Sequence, residues 1–306
     1  MKKISQISIE LLCSAALIAP SYNISSAASK QEPHVIINNT SLSSEDILLK
    51  NNQVFITLTG AKTLDDLTFK WNNKTKQVTV QGKETHLILT INKTTAQKNS
   101  EPVKLSSAPF IHKGKTMIPL RFVTEAMSSS VTWNQATQTA YITKASSKLT
   151  KDYKSDELST ARNAAINLPR VSQLPKEFEP TLDTFSLQYY FPERESGQFI
   201  EVNNNVVSYY KISNHTAYLK WQGLLGDKPG TANDLYFINR MLIDEAGTLP
   251  SFKGTTFASF RWMPHIGATG YSLINKQNCN KVTYKDQELE QNQMKENYII
   301  VEIPEE

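Results

Sequence analysis

Cys279 and His265 are the one obvious nucleophile-and-base combination in this chain, the thiolate attacking while the imidazole takes its proton. Cys279 sits in the polar run Asn275 to Asn280, with no signature around it, so an incidental cysteine stands beside the catalytic reading. Glu193, Glu195, Glu201 and Asp227 supply acid and base for hydrolysis, which needs two carboxyl groups facing one another across the scissile bond. Tyr209, Tyr210, Tyr218, Trp221 and Trp262 are available to stack on sugar rings, although half the residues of an alternating strand turn into the core. Arg261 to His265, followed by Gly267-Ala268-Thr269-Gly270, reads either as a ligand loop or as an ordinary turn. The five histidines, at 34, 86, 112, 215 and 265, are scattered, so no metal site and no cofactor are expected. The chain has no P-loop, dinucleotide fingerprint, zinc-ligand spacing or Gly-x-Ser-x-Gly elbow. Nor does a basic strip with interleaved aromatics point to a nucleic acid.

The candidates for chemistry lie in the second half, where the pattern is β-rich from Phe185. Gln198–Val202 and Val206–Ile212, joined by three asparagines, read as a hairpin, and Ala217–Trp221 continues an antiparallel meander. Thr231-x-x-Asp234 predicts a helix running through Ala246, apolar at Leu235, Ile238, Met241, Leu242 and Ile243, with Gly247 as its stop. Further strands are predicted at 256–262, 270–274 and 298–303. Residues 146–180 read as a linker with a short helix, opened by Ser155 and stopped by Pro169.

The first half repeats itself. Residues 47–80 lie over 109–142 at a constant offset of 62 without a gap. Ile56 falls on Ile118, Leu58 on Leu120, Trp71 on Trp133, Asn72 on Asn134 and Thr75 on Thr137. Only four tryptophans occur in the chain, so a Trp-Asn pair in register marks two copies of one unit. In the second copy, Phe110 to Ile118 is strand, Gly-containing turn and strand; Pro119 suits the strand exit. Leu120, Val123, Ala126 and Met127 then make one face of a short helix, with Arg121 and Glu125 able to pair across a turn. Val131–Trp133 and Ala140–Ile142 form a second hairpin. The unit is hairpin, short helix, hairpin.

The run GKTMIPLRFVTEAMSSSVTWNQATQTAYI, preceded by KLSSAPFIHKGK, resembles the repeat of the copper amine oxidase N-terminal-domain-like family over about residues 34–145. That resemblance implies a stalk module of the kind found in many exported Gram-positive proteins. It does not imply oxidase chemistry, because copper and the modified tyrosine belong to another domain of those enzymes. Asn297-Tyr298-Ile299 lacks the acidic residue of that tyrosine's context, and no His-x-His is present. Trp71, Trp133, Pro119 and Arg121 are accordingly expected to be structural. The first copy departs from the pattern with Thr57 and Thr59 in place of Pro119 and Arg121, and the second has Ser128 where a glycine would end the helix.

At the N-terminus, Lys2 and Lys3, an apolar stretch from Ile9 to Ile18 and the small residues Ser26-Ala27-Ala28 predict a signal peptide over 1–28, cut before Ser29. The mature chain then keeps a single cysteine and no further stretch fit to span a membrane. Residues 30–154 carry 17 Lys or Arg against 9 Asp or Glu, and residues 155–306 carry 14 against 19. A basic first half suits an anionic polymer, or reflects lysines that guard strand edges. The expected fold class is α+β: a duplicated hairpin–helix–hairpin stalk module, then a separate antiparallel-sheet α+β domain over 181–306. The expected function is that of an exported cell-surface or secreted protein whose C-terminal domain binds a ligand, a cell-wall polymer or an extracellular protein. An extracellular or wall-active hydrolase is the alternative.

Overall fold

Short runs of β-branched and aromatic residues between asparagine- and lysine-rich turns favour strands, and the chain is mostly β with four α-helices among the described residues. The computed structural model describes residues 32–64, 67–82, 85–181, 187–263, 268–279 and 283–286. The predicted signal peptide and the predicted strand at 298–303 lie outside them.

The first half runs β1 (His34–Ile37), β2 (Thr40–Ser41), β3 (Ile47–Lys50), β4 (Gln53–Thr57), α1 (Leu58–Ala61), β5 (Thr68–Asn72), β6 (Gln77–Gln81), β7 (His86–Thr90), β8 (Thr95–Lys98), β9 (Glu101–Lys104), β10 (Phe110–His112), β11 (Lys115–Pro119), α2 (Leu120–Ala126), β12 (Ser130–Asn134) and β13 (Thr139–Thr143). Two hairpins meet back to back in a sheet of order β10-β11-β4-β3, paired antiparallel with Ile118 opposite Ile56 at the centre. Each hairpin turn places two successive residues at positive φ, Asn51 and Asn52 in one and Lys113 and Gly114 in the other. That geometry matches the twist of the strands it joins. The chain leaves the central sheet through α1 or α2 and enters a second hairpin. β5 and β6 begin the five-stranded meander β5-β6-β7-β8-β9; β12 and β13 join β1, which pairs with β13 in parallel. Ile56, Val78, Leu87, Leu89, Ile118, Val123, Ala140 and Ile142 fill one core between these sheets.

The second half continues with α3 (Ser147–Tyr153), α4 (Leu158–Asn167), β14 (Arg170–Ser172), β15 (Leu187–Pro192), β16 (Gln198–Asn203), β17 (Val206–Ser213), β18 (Thr216–Leu225), β19 (Leu242–Gly247), β20 (Phe257–Met263), β21 (Ala268–Ile274) and β22 (Thr283–Asp286). They form a nine-stranded sheet, β14-β18-β17-β16-β15-β20-β21-β22, with β19 sharing the outer edge of β18. Both faces are covered, which explains why Tyr189-Tyr190-Phe191 is apolar without a break. Tyr189 and Phe191 join Phe199, Tyr210, Phe260 and Ile166 in one core, while Tyr190 joins Val207, Trp221, Leu235 and Phe257 in the other.

The predicted helix over 231–246 does not form. Asn233 adopts a positive φ inside what would be its first turn. Residues 242–247 instead pair with β18, from Leu225 opposite Leu242 to Trp221 opposite Gly247. Of the apolar set that suggested a buried helix, Leu235 and Ile238 reach a core, whereas Met241 and Ile243 are exposed. The edge of a long strand had ladder groups to satisfy, and that outweighed the helical pattern. Residues 146–180 hold more structure than a linker with one helix: α3, capped by Ser146, precedes α4, and β14 adds a parallel strand to β18.

Candidate functional site

A cleft of about 790 Å³ lies along the seam between the two halves. One wall is the β1–β2 turn with Asn38, Asn39 and Thr40, together with Tyr141 of β13 and Lys144. The opposite wall is Asn167, Pro169 to Ser172, Glu177, Glu179 and the strand residues Leu187, Glu201, Asn203, Tyr210 and Leu219. The size falls in the range of small-ligand sites.

Its floor is an arginine fork. Pro169 ends α4 and turns the chain into β14, whose first residue, Arg170, points across β18 and β17 towards β16. Arg170 Nη1 donates to Glu201 Oε1 at 3.1 Å and Nη2 to Glu201 Oε2 at 2.6 Å, a two-pronged pair. Nη2 also donates to the Ile166 carbonyl at 3.3 Å, and the guanidinium lies 4.8 Å from the centre of the Tyr210 ring. Removal from water, the largest influence, would lower the Arg170 pKa, but the Glu201 carboxylate together with Tyr210 and Tyr189 outweighs it, and the pKa is raised. Burial pushes the Tyr210 phenol up to about 12, with Arg170 opposing and Glu201 reinforcing the shift. Tyr189, deeper in the same sheet, is raised by burial first and by Glu201 second.

The opposite rim is tied to the second half by side chains of the first. Asn39 Nδ2 donates to the Leu168 carbonyl at 3.2 Å, and Asn39 Oδ1 accepts from the Arg170 N–H at 2.6 Å. Tyr141 donates to Glu177 Oε1 at 2.9 Å; burial first and this carboxylate second raise its phenol pKa. Asn134 donates to the carbonyls of Ser172 and Leu174 at 3.2 and 2.9 Å.

Of the candidates named from sequence, Glu201 lines the cleft, with both its oxygens on Arg170. Glu193 and Glu195 are exposed on the β15–β16 turn, and Asp227 is exposed near Arg240 at 3.6 Å. Trp221 is 1% exposed, packed in the core with its indole N–H on Glu245 Oε2 at 2.8 Å. Tyr209 is also a core residue, donating to Gln198, whereas Tyr218 is half-buried beneath Lys220. Cys279 is a half-buried free thiol in the turn after β21; His265 and the side chain of Trp262 lie outside the described residues. Trp71 and Trp133 sit half-exposed on the outer strands β5 and β12, and Pro119 caps the start of α2, where Arg121 is exposed.

Arg170, Tyr141, Glu177 and Asn39 carried no sequence signal as a group, since they lie up to 138 positions apart and are brought together only by the seam. Among the described residues there is no cluster of three or more His, Cys, Asp or Glu able to hold a metal, and no helix long and apolar enough to cross a membrane. No curated protein matches this chain. Residues 35–142, which include Asn38, Asn39, Thr40 and Tyr141 of the cleft wall, match the family model described as the copper amine oxidase N-terminal domain.

Proposed function

We propose that this is an exported Gram-positive cell-surface or secreted protein in which residues 34–145 are a non-catalytic stalk module and residues 181–306 are the body of a separate binding domain. We infer that its ligand is a polar wall- or protein-derived fragment held in the seam cleft. Duplication of the module is supported by element bounds: β4, β5 and β6 recur 62 positions later as β11, β12 and β13. Positive φ at Lys76 recurs at Gln138, and Asn72 and Asn134 each accept two turn N–H groups on Oδ1. Export rests on the leader-like composition of residues 1–28.

The observation that carries the binding reading is the cleft itself, a space of ligand size whose polar groups are already fixed by hydrogen bonds. A second reading, a wall-active hydrolase, draws on Glu177, Glu179 and Glu201 lining the same space. It is the weaker one because the Arg170 fork engages both oxygens of Glu201, so that carboxyl group can deliver a proton or attack only by breaking the pair.

Expression in a Gram-positive host should give an extracellular chain beginning at Ser29; an intracellular chain that keeps Met1 would overturn export. Soluble wall fragments should raise the thermal midpoint in proportion to the logarithm of their concentration above Kd, by the equivalent of about 2.7 kcal/mol at a hundredfold excess. Thr40→Trp, at an exposed position on the rim, should abolish that shift without lowering the midpoint of the free protein. Turnover of the fragments that Glu177→Gln abolishes would favour the hydrolase.

A further inference from the structure

The outer face of the five-stranded sheet has a composition that the cleft does not explain. Strand register places Thr68, Lys70 and Asn72 beside Gln81, Thr79 and Gln77, and these beside His86, Ile88 and Thr90. The row continues through Gln97 and Thr95 to Pro102 and Lys104. The opposite face carries Val78, Val80, Leu87 and Leu89 into the core. Hydroxyl, amide and basic side chains therefore fill the outer face, and it bears no carboxylate among the described residues.

The lysines gather at one end. The β5–β6 turn holds Lys74 and Lys76, the β7–β8 turn holds Lys93, and β9 ends at Lys104, so the up-and-down path of the meander brings all four to the same edge. The two turns touch, with the Ile91 N–H on the Lys76 carbonyl at 3.0 Å. All four lysines are exposed, as is Lys70 on the face, and Trp71 stands 44% exposed on the outermost strand. Residues 67–104 carry seven lysines and two glutamates, and Glu101 lies at the far end of the meander.

The equivalent face of the other hairpin is not open. Thr139, Tyr141 and Thr143, 62 positions after Gln77, Thr79 and Gln81, are at most 6% exposed because the second half covers them. Gln77 and Thr79 are half-buried and Gln81 is exposed. One copy of the unit thus spends this face on its own chain, and the other presents it with a basic end.

We propose that this face and its lysine end bind a phosphodiester-linked anionic glycopolymer. The lysines meet phosphates, and the threonine, glutamine and asparagine rows meet the polyol or sugar hydroxyls between them. Neighbouring strands lie about 4.8 Å apart, so the lysine turns are spaced roughly 5–10 Å, suiting a flexible polyanion with repeated charges. A lipid surface is a poorer fit, since among the described residues the face offers Ile88 and Pro102 as its apolar side chains. Single-stranded nucleic acid would want several stacking rings, and among the described residues this face offers the His86 imidazole, Trp71 lying opposite Val78 on the other face.

This site is separate from the seam cleft, and the two readings fail separately. The chain from Ser29 onward should bind purified poly(glycerol phosphate) with log K falling against log salt at a slope of about −3.5, from five lysines at roughly 0.7 each. A fourfold rise in salt then weakens binding roughly 100-fold. Replacing Lys74, Lys76, Lys93 and Lys104 together by glutamine should flatten the slope to below about 1 and weaken binding at least tenfold. The control set Lys151, Lys211, Lys228 and Lys253 to glutamine removes the same charge elsewhere and should leave both nearly unchanged. Thr40→Trp should also leave polymer binding intact, and thermal midpoints establish that both lysine sets fold. Equal loss in the two sets, or none in the first, overturns the site. Tighter binding to phosphatidylglycerol vesicles or to single-stranded DNA than to the polymer overturns the ligand class.

Discussion

Asn134 and Asn72 are the same residue at the same place in two hairpins, yet they bear different loads. Each turns its Oδ1 onto two backbone N–H groups of the following turn. Asn134, 4% exposed, additionally sends Nδ2 to two carbonyls across the seam, while Asn72 is exposed. Asn134→Ala is therefore expected to destabilise by about 2–4 kcal/mol in urea unfolding, since buried carbonyls lose their donor, and Asn72→Ala by about 1 kcal/mol. Asp substitutions separate the two roles. Asn72→Asp keeps the turn and should be close to neutral, whereas Asn134→Asp faces two carbonyls with a carboxylate and should match or exceed the alanine loss. Ser128 shows the repeat pattern failing at one residue: it holds φ 55 after α2, a conformation that favours glycine. Ser128→Gly should stabilise by about 0.5 kcal/mol, read by the same unfolding curve. The Trp-Asn register and the missing glycine were legible in the sequence because local backbone geometry dictates them. The seam role of Asn134 was not, because its partners lie about 40 positions away.

At the scale of elements, the outer edge of β18 decides the second half. β14 takes one stretch of that edge in parallel and β19 the next in antiparallel, which left no room for the predicted helix. Gly247 makes the junction possible. It has φ 89, and a Cβ there would lie 2.2 Å from the Lys220 carbonyl oxygen and 2.6 Å from Leu174 Cδ2. Gly247→Ala should cost at least about 3 kcal/mol and lower soluble yield, whereas Gly254→Ala, strained in φ but in open space, should cost about 1 kcal/mol. The Arg170–Glu201 pair fastens β14 to β16 across two intervening strands. Glu201→Gln should destabilise by about 2–3 kcal/mol, and the double variant Arg170→Met with Glu201→Gln should recover part of that, because a stranded cation costs more than a missing pair. Hairpins at 198–212 and strands at 256–262 and 270–274 were legible from alternation and asparagine turns. The misread segment 231–246 had helical spacing, but Asn233 and Gly247 sit at positive φ and the strand edge beside them supplied the stronger partner. The β7–β9 meander and α3 passed unread between the louder repeat signals.

Across the whole molecule, two kinds of core are joined by a polar seam, and the sheet of the larger one is lined with phenols held in apolar surroundings. Burial raises Tyr190 and Tyr210 to about 12 and raises Tyr189 in the same direction, against an ordinary value of 10.0. Tyr141, Tyr153, Tyr209 and Tyr236 shift in the same direction, chiefly for the same reason. A phenol is neutral with its proton on, so below about pH 10 folded and unfolded chains bind the same number of protons and these groups cost nothing. Between about pH 10 and pH 12 the unfolded chain releases protons that the folded chain must keep, and stability falls as pH rises. Each phenol held about two units high accounts for about 2–3 kcal/mol across that window, and two or three such groups match the whole stability of an ordinary domain. The expected outcome is cooperative alkaline unfolding between about pH 10 and pH 12. The phenolate absorbance of the buried tyrosines should rise with the loss of circular dichroism, after the exposed tyrosines have titrated. Tyr210→Phe should be less stable than the parent at neutral pH, because Arg170 Nη1, which donates to the Tyr210 hydroxyl at 3.4 Å, loses that acceptor. Its stability should also fall less steeply above pH 10, by about one proton. Buried phenols that titrate near pH 10 with the fold intact would mean that the sheet admits water, and the tight two-faced packing of β15 to β17 would have to be abandoned.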